Sequence, residues 1–573
     1  MNSMNSFKRK IPFLVGLAVF LLFFSISLMY LQQPSLPKIY NDEFGYWGVA
    51  AQFYRLNWSN IISNIPYYSF GYSTVLYLLL RTFGSFSLVY KIAIILNSFW
   101  LTSSFLVIQR IEKNLFPNIN YGLNATFSLA ITILSGGLIQ AQYTWPENIL
   151  LLLNNLLFLF LIRVVKKNHV YDWISLVIIA VFQYYVHQRT LGVLIALLLT
   201  LAILSLMRKE CRKNFCIFII ILFIGFILGQ TVKTIVIDQV WLNTSQSQVN
   251  NFSGQISTIS YLFSLDGLFS LLSSVAGKLF YFFGSTLFIG PVGVGVVCYE
   301  LCRNIKEKRW NVDFSFYYFF LLLVFLGTLA INSISMLQPT YITHVVYGRY
   351  LDNISGVFIL IGLASIAMKE ISIREALAII LIYILLSVNI STQCNQFLIQ
   401  KQLAINNIGI APFVEEEWIE IKKSIFYYSA IWIVIYAALT YIKKDALKII
   451  LLLIVVSING IIIYSSVQEK FVNRWRDTAL SSEEIHDKIL TMDTEDSSIY
   501  ALQNMSGRYL SGFSGNAIQF LFPNKQIEYV EKDEIDHLPK DSYLVSDSEE
   551  ILSDRNKLDE LYTSKYFKLY RVN

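Results

Sequence analysis

Charged residues are scarce in this sequence. Asp, Glu, Lys and Arg make up 15% of its 573 residues, whereas hydrophobic residues make up 55% and the mean hydropathy is +0.53. Soluble domains carry about 25% charged residues, so this composition excludes an ordinary soluble protein and predicts a chain that crosses a membrane several times. The formal net charge is only +6. The basic residues lie in short runs between apolar segments, where they indicate topology and no nucleic-acid partner.

Cysteine is scarce as well, and its positions share no metal-binding or pairing pattern. The five residues are Cys211, Cys216, Cys298, Cys302 and Cys394. Only Cys394 falls on the predicted outer side of the membrane, so we expect no intrachain disulfide there, and no spacing is typical of a zinc site. The sequence also lacks a glycine-rich nucleotide loop after a predicted strand, an internal repeat and a low-complexity tract.

The N-terminal segment lacks a signal-peptide cleavage pattern. Lys8, Arg9 and Lys10 precede a long apolar run at 11–31, and no small-x-small pattern follows that run. We therefore predict an uncleaved first transmembrane helix with its basic start in the cytoplasm.

Apolar segments and the positions of Lys and Arg predict about thirteen transmembrane helices, with the C-terminus outside the cell. The predicted spans are 11–31, 86–108, 122–142, 147–165, 172–187, 190–207, 214–236, 279–300, 314–334, 354–368, 375–391, 425–442 and 446–465. A further apolar segment, 70–83, is short for a span and suits a helix in the membrane interface. If this segment lies flat, every basic loop falls on the cytoplasmic side, as topology rules require.

The composition changes near Val467, and this change predicts two domains. Residues 1–466 form a transmembrane domain with a first outer loop at 32–85, and residues 467–573 form a small extracytoplasmic α/β domain. The strand-like runs of the second domain are 498–502, 526–530, 543–546 and 566–570, with helical stretches near 482–491 and 509–520. The predicted fold class is a polytopic α-helical membrane protein with this small domain outside.

The unusual polar residues fall on the predicted outer side of the membrane. Ionisable groups held at membrane depth are functional candidates. Each also has a structural interpretation: an acid pair in an aromatic interface belt, an acid favoured by a helix dipole, or an arginine paired with Asp352. The candidates are Asp42, Glu43, Glu147, His187, Arg189, His344, Arg349 and Asp352.

Four short motifs carry a resemblance to a known family. Asn41-Asp42-Glu43 opens the first outer loop after a long N-terminal helix, and Tyr68-Ser-Phe-Gly-Tyr72 opens the interfacial segment. Trp145-Pro-Glu147 and Gly348-Arg349-Tyr350 lie in later outer loops. Together they resemble the GT-C superfamily of membrane glycosyltransferases, which includes protein O-mannosyltransferases and the lipid A aminoarabinose transferase. The latter has a Lys-Pro-Pro element near the interfacial segment, where this chain has no lysine.

The resemblance implies a chemistry and a location. A GT-C enzyme of the plasma membrane takes a sugar from a polyprenyl-phosphate carrier and passes it, with inversion, to a cell-surface glycan, lipid or protein. Asp42 is then the general base, with Glu43 orienting it. The remaining predicted roles are donor-phosphate binding by Arg349, Arg189 and His344, substrate contacts by Tyr46, Trp47, Glu147 and Tyr350, and a divalent cation (Mg or Mn) on Asp42, Glu43 and Glu147.

Other classes of function remain open at this point. A polysaccharide polymerase or flippase of envelope assembly would also have many helices and basic residues near the outer surface. Neither is expected to open its first outer loop with an Asp-Glu pair. A transporter would place charges deep within its spans or use paired discontinuous helices, which this sequence does not indicate.

Overall fold

Helices dominate the structure and one small sheet ends it. The computed structural model describes residues 2–30, 35–38, 40–249, 256–339, 341–394, 404–415, 418–492, 497–502, 513–547 and 557–573. The helices up to residue 240 are α1 Asn2–Tyr30, α2 Tyr40–Phe53, α3 Ser59–Ile62, α4 Phe70–Phe83, α5 Phe86–Leu115, α6 Tyr121–Leu134, α7 Gly137–Gln140, α8 Glu147–Lys167, α9 Val170–Val186, α10 Leu191–Met207 and α11 Arg212–Val240.

A second set of helices completes the bundle. These are α12 Gln246–Val249, α13 Ile256–Tyr261, α14 Leu265–Ser285, α15 Ile289–Lys306, α16 Asp313–Ser335, α17 Ile342–Val345, α18 Arg349–Ala367, α19 Ile373–Cys394, α20 Ile421–Tyr441 and α21 Asp445–Val467. The C-terminal part contains α22 Asn473–Thr491, β1 Ile499–Leu502, α23 Phe513–Leu521, β2 Glu528–Val530, β3 Tyr543–Asp547, β4 Leu558–Thr563 and β5 Phe567–Val572.

The predicted fold class is confirmed. Within the described residues, ten helices are long and apolar enough to cross a membrane, and three shorter apolar helices lie at 14–28, 121–134 and 170–186. The chain is therefore a multi-pass α-helical membrane protein with a small C-terminal sheet. The number of thirteen spans stays a prediction. The interfacial segment predicted at 70–83 is a separate helix, α4, with those bounds.

The bounds predicted for the eighth span, 279–300, are wrong. Two helices, α14 and α15, cover this region and meet at a break formed by Leu287 and Phe288. Their backbone φ angles are 51° and 66°, in the left-handed region that residues other than glycine rarely adopt. Both side chains are buried, so their packing stabilises the break. Neither position is a glycine, and the nearest breaker signal in the sequence is Gly290-Pro291, two residues further on.

Two other predicted segments also differ from the structure. The span predicted at 122–142 is divided, because α6 ends at Leu134 and Gly136, with φ 68°, precedes the short α7. The first outer loop, predicted without secondary structure before residue 70, contains α2 and α3. The apolar and aromatic side chains of α2 are buried on almost all sides, so α2 shows little of the one-sided pattern that identifies a helix from sequence.

The basic turns between helices gather at one end of the bundle. Lys166 Nζ donates to the Asn114 carbonyl at 3.2 Å, and Arg208 Nη1 donates to the Val165 carbonyl at 2.8 Å. Arg208 also pairs with Asp313 at 2.8 Å. The turns that follow α5, α8 and α10 therefore lie together, as the predicted topology requires of loops on one side of a membrane.

The C-terminal domain, by which we mean α22, α23 and the sheet, is α/β as predicted. The sheet order is β2-β1-β3-β5-β4, with β1 parallel to β2 and β3, and β5 antiparallel to β3 and β4. The helices α22 and α23 pack against it. The edge strand β4 was not predicted, because its apolar residues, Leu558, Leu561 and Tyr562, do not alternate with polar ones as in a typical strand.

One helical path joins the bundle to the C-terminal domain. Helix α21 continues through a π-helical turn, Gln468–Val472, directly into α22. Within that turn, Lys470 Nζ donates to the Val414 carbonyl at 2.9 Å and pairs with Glu415 at 3.1 Å. The predicted domain boundary at residue 467 thus lies inside continuous helix, and the division into two domains stays a prediction.

The packing of α4 on the bundle leads to a prediction. A Cβ at Gly71 would lie 2.5 Å from the backbone of Tyr185 in α9, whereas a Cβ at Gly295 would meet nothing within 4 Å. We expect Gly71→Ala to destabilise the protein by about 1–3 kcal/mol, because backbone cannot yield as a side chain can. The matched Gly295→Ala should be neutral or stabilising by up to about 1 kcal/mol. Thermal unfolding in detergent measures both, and equal midpoints would contradict this packing.

Candidate active site

The predicted acid pair, Asp42 and Glu43, lies in the first turn of α2. Negative side chains are favoured there because the free N–H groups at a helix N-terminus carry partial positive charge. Adjacent residues of a helix point about 100° apart, so the two carboxylates face different neighbours. Asp42 meets Arg349, whereas Glu43 meets Thr144 in the segment before α8.

Arg349 is the centre of a chain of ion pairs. Its Nη1 bonds to Oδ2 of Asp42 and its Nε bonds to Oε1 of Glu147. The second oxygen of Glu147 pairs with Nη2 of Arg189 and accepts from Nδ2 of Asn353, the latter at 2.6 Å. Charge alternates along Asp42, Arg349, Glu147 and Arg189 and sums to zero. Charge-assisted bonds of this kind fix the geometry of both partners.

The four side chains of this ion-pair chain differ in their access to solvent. The exposed fraction is 26% for Asp42 but only 4% for Arg349, 6% for Arg189 and 0% for Glu147. Asp42 is therefore the carboxylate of the chain that a substrate can reach. Glu147, fully enclosed between two guanidinium groups, serves as their counter-ion.

A tyrosine fixes the other oxygen of Asp42. The hydroxyl of Tyr68 donates to Oδ1 of Asp42 at 2.6 Å. Burial raises the pKa of Tyr68 well above its usual value, and the charge of Asp42 raises it further. The phenol therefore stays protonated and remains a donor to the carboxylate.

Aromatic rings hold both arginines in orientation. The guanidinium carbon of Arg349 lies 3.9 Å from the ring centre of Trp145, and that of Arg189 lies 4.5 Å from the ring centre of Tyr350. The ring of His187 packs edge-on against Tyr350 at 6.1 Å. A planar guanidinium that stacks on an aromatic face and is held at its edge by a carboxylate has little rotational freedom left.

Glu43 is enclosed by hydrogen-bond donors. Its Oε1 accepts from the hydroxyl of Thr144 at 2.6 Å and from the hydroxyl of Tyr90 at 3.4 Å. The backbone N–H groups of Thr144 and Lys38 also donate to this carboxylate. Trp47 Nε1 in turn donates to Oγ1 of Thr144 at 2.9 Å. Glu43 thus ties α2 to the segment before α8, and its role in orienting Asp42 stays a prediction.

Lys38, just before α2, is a buried lysine. Its ammonium lies over the ring of Trp475 in the C-terminal domain, 5.5 Å from the ring centre. Burial lowers the pKa of Lys38 to about 8, against the charge of Glu43, which raises it. Lys38 was not among the predicted site residues.

The structure places three other predicted residues differently. Trp47 is fully buried among aromatic rings, which gives a substrate no access to it and corrects the predicted substrate contact. Tyr46 is buried too, with its ring against Tyr68 at 5.3 Å, so it reaches the site only through its hydroxyl. His344 packs edge-on against Tyr341 at 4.9 Å and lies outside the ion-pair chain.

The alternative pairing of Arg349 with Asp352 is wrong. The hydroxyl of Tyr281 donates to Asp352 at 2.9 Å, and Nε2 of Gln140 donates to the same carboxylate at 3.4 Å. Arg349, one helical turn earlier, points instead to Asp42 and Glu147. The spacing of three residues in α18 made the pair possible on the sequence, but the two side chains turn to different neighbours.

The three carboxylates proposed for a divalent cation do not fit one. Within the described ranges, no group of three or more His, Cys, Asp or Glu side chains is placed to hold a metal. The oxygens of Asp42 and Glu147 face guanidinium groups, and those of Glu43 face backbone and hydroxyl donors. A cation would have to displace these partners. The cation therefore stays a prediction without support from these contacts.

Two buried donors of the site have no hydrogen-bond acceptor among the described residues. These are Nη1 of Arg189 and the hydroxyl of Tyr46. Burial raises the pKa of Tyr46 well above its usual value, so this hydroxyl keeps its proton. An unused guanidinium N–H and an unused phenol beside an accessible carboxylate can bind an anionic group and a hydroxyl-bearing group at the same place.

Some residues of the site were missed on the sequence. Tyr68 belongs to one of the four motifs but had no predicted role, and neither Asn353 nor Thr144 was predicted to act in the site. All three are uncharged and are common residues of helix ends and loops. Only the fold brings Thr144 to Glu43, 101 positions away, and Asn353 to Glu147, 206 positions away.

Comparisons with known proteins were made for sequence and for structure. No protein-family model and no curated protein matches the sequence. The structure is similar to that of ArnT from Cupriavidus metallidurans bound to undecaprenyl phosphate, with TM-score 0.54 and 11% identity over 98% of both chains. The apo state of the same protein matches with TM-score 0.52 and 11% identity over 97% of both chains.

A third match is more distant. The arabinosyltransferase EmbB from Mycobacterium smegmatis covers 96% of this chain and 45% of its own, with TM-score 0.42 and 11% identity. The match to ArnT extends over nearly the whole of both chains, so this chain shares the fold of that protein.

The buried Lys38 gives a pH prediction. Its pKa of about 8 in the folded protein lies below the ordinary value of 10.5. Between these values the folded protein binds fewer protons than the unfolded chain, so its stability rises with pH through this window. We expect the unfolding temperature of the native protein, relative to Lys38→Met, to increase from pH 8 to pH 10. Curves that stay parallel over this range would contradict the shift.

Proposed function

We propose that this protein is an inverting glycosyltransferase that moves a sugar from a polyprenyl-phosphate donor to a cell-envelope acceptor on the outer face of the membrane. One observation carries the proposal: an accessible carboxylate, Asp42, is bound to Arg349, which Glu147 couples to a second arginine, Arg189. A base and a pair of phosphate-binding cations are thereby held side by side. The GT-C fold, with its similarity to ArnT, supports the same function.

The arginines suit the phosphate of such a donor. Guanidinium groups bind phosphate oxygens through two parallel hydrogen bonds, and they keep their charge in an apolar environment. Arg189 retains an unused buried N–H within the described part of the chain. Glu147 neutralises one of the two positive charges of the arginines, and Asp42 balances the other. When Asp42 binds the acceptor hydroxyl instead, that second positive charge can attract an anion.

The reaction requires one displacement. The acceptor hydroxyl attacks the anomeric carbon while its proton passes to the carboxylate of Asp42. The bond between that carbon and the phosphate oxygen breaks, and the polyprenyl phosphate leaves with the electron pair. Its added negative charge is stabilised by Arg349 and Arg189, so no general acid is needed. A single displacement inverts the configuration at the anomeric carbon.

The lipid carrier explains why the site lies on a helical bundle. ArnT, the similar structure, was crystallised with undecaprenyl phosphate. A polyprenyl chain is soluble only in the bilayer, so its phosphate reaches an enzyme at the membrane surface. The basic turns lie together at one end of the bundle, and basic loops face the cytoplasm. The first outer segment and the C-terminal domain are then extracytoplasmic.

The role of Asp42 can be tested by one substitution. We expect Asp42→Asn to lower kcat by at least about 100-fold, because an amide cannot accept the proton. Binding of a polyprenyl-phosphate sugar should change little, since the arginines remain. Asp445→Asn is the matched control, as Asp445 is 48% exposed beside Lys448, and it should keep wild-type turnover. Sugar transfer is measured with the purified protein in lipid.

Two results would count against the proposal. Full turnover by the Asp42→Asn variant would remove Asp42 as the base. Transport of lipid-linked sugar across vesicles by that variant, without sugar transfer by the wild type, would favour the flippase.

The orientation can be tested by cysteine labelling. Asn41 at the start of α2 is exposed, and so is Arg309 in the turn between α15 and α16. In a chain whose five cysteines are replaced by serine, Asn41→Cys should react with a membrane-impermeant thiol reagent in intact cells. Arg309→Cys should react only after lysis. The reverse pattern would place the site in the cytoplasm.

A further inference from the structure

One aromatic side chain of the C-terminal domain packs among aromatic residues of α2, α5 and the start of α3. Phe520, on α23, is 2% exposed. Its ring meets four others edge-on, at centroid distances of 5.1 Å to Trp47, 5.8 Å to Phe86, 6.1 Å to Tyr90 and 6.4 Å to Trp58. Edge-to-face contacts at such distances are favourable beyond the area they bury. Phe520 thus fills a cage formed by α2, α3 and α5.

Two walls of this cage lead to the acid pair. Trp47 donates through Nε1 to Oγ1 of Thr144 at 2.9 Å, and that hydroxyl donates to Glu43 at 2.6 Å. Tyr90 donates to the same oxygen of Glu43 at 3.4 Å. Phe520 therefore packs against Tyr90, which bonds to Glu43 directly, and against Trp47, which reaches Glu43 through Thr144.

Further contacts fix the same domain on the same segment. Trp58 Nε1 donates to the carbonyl of Pro523 at 2.9 Å, and Asn60 Nδ2 donates to Glu528 at 3.0 Å. The residues on both sides of this contact form one hydrophobic core, which includes Trp475 and Ile518 of the C-terminal domain. The domain is thus packed onto α2 and α3 and not merely attached to α21.

The base and the arginines stand on different elements. Arg349 begins the long helix α18, and Arg189 lies in the short 3-10 turn, Gln188–Thr190, that joins α9 to α10. Asp42 belongs instead to α2, a short helix that ends at Phe53. The position of Asp42 relative to the arginines therefore depends on how α2 is held. A displacement of about 1 Å between reacting groups can lower a rate about 100-fold.

We infer that Phe520 is a positioning residue, by which the C-terminal domain sets the place of Asp42 through Trp47, Tyr90 and Glu43. This inference rests on the proposed function, because it assigns the domain a part in the same transfer reaction. The domain then completes the catalytic site while contributing no group to the chemistry. Loss of the Phe520 ring alters turnover more than donor binding, since the arginines keep their places in the bundle.

The chain offers a matched control two residues away. Phe522 is also buried, at 8% exposure, but its ring meets His486 of α22, within the C-terminal domain. We expect Phe520→Ala to lower kcat by about 10- to 100-fold with the donor KM within about threefold of wild type. Phe520→Leu, which keeps apolar bulk, should recover part of the loss. Phe522→Ala should lower stability similarly while kcat stays within about threefold of wild type.

A second measurement is independent of activity. Hydrogen exchange of the α2 amides, residues 44–53, reports how firmly that helix is held. We expect Phe520→Ala to speed this exchange at least about tenfold, and Phe522→Ala to leave it unchanged. In a double-mutant cycle, Trp47→Phe and Phe520→Ala should be non-additive in kcat, because both act on the same contact.

The outcomes separate the two proposals. A kcat loss shared by Phe520→Ala and Phe522→Ala, unchanged α2 exchange in Phe520→Ala, or an additive cycle would each overturn the positioning role. A wild-type protein that transfers no sugar, while Phe520→Ala still loosens α2, would overturn the proposed function and leave the contact between domain and helix established.

Discussion

The ion pairs of Arg349 determine where the functional parts of this protein meet. Two acids from distant parts of the chain, Asp42 and Glu147, converge on one guanidinium that is 4% exposed. Removing such charges from water costs several kcal/mol for each ion, and only close partners with good geometry offset that cost. The helices α2, α8 and α18, which carry Asp42, Glu147 and Arg349, must therefore come together at this point, because separation would leave a buried charge without its partner.

The sequence predicted the parts of this arrangement that depend on apolar length and on charge. The helices α4 and α8 to α11 lie close to their predicted bounds. Most charged residues of the site were predicted because ionisable groups are rare in a chain this apolar. The failures have physical causes. The break at Leu287 and Phe288 is stabilised by tertiary packing, and the burial of α2 on nearly every side conceals its helical period.

The same limit applies inside the site. Spacing suggested that Arg349 pairs with Asp352, and the family resemblance implied that Trp47 contacts a substrate. In the structure, Asp352 accepts a hydrogen bond from Tyr281, and Trp47 packs against Phe520. Which of several possible partners a side chain meets is decided by elements hundreds of residues apart. The neutral members of the network, Tyr68, Thr144 and Asn353, carry no sequence signal because their chemistry is common.

The uninterrupted path from α21 through the π-helical turn to α22 has a mechanical consequence. A hydrogen-bonded helix resists bending and twisting far more than a flexible linker does. The last helix of the bundle and the first helix of the C-terminal domain therefore move as one rigid element. Lys470 anchors this element to the bundle at the turn, through its bonds to Val414 and Glu415. A tilt of that helix within the bilayer would therefore displace the C-terminal domain and, through their shared core, α2.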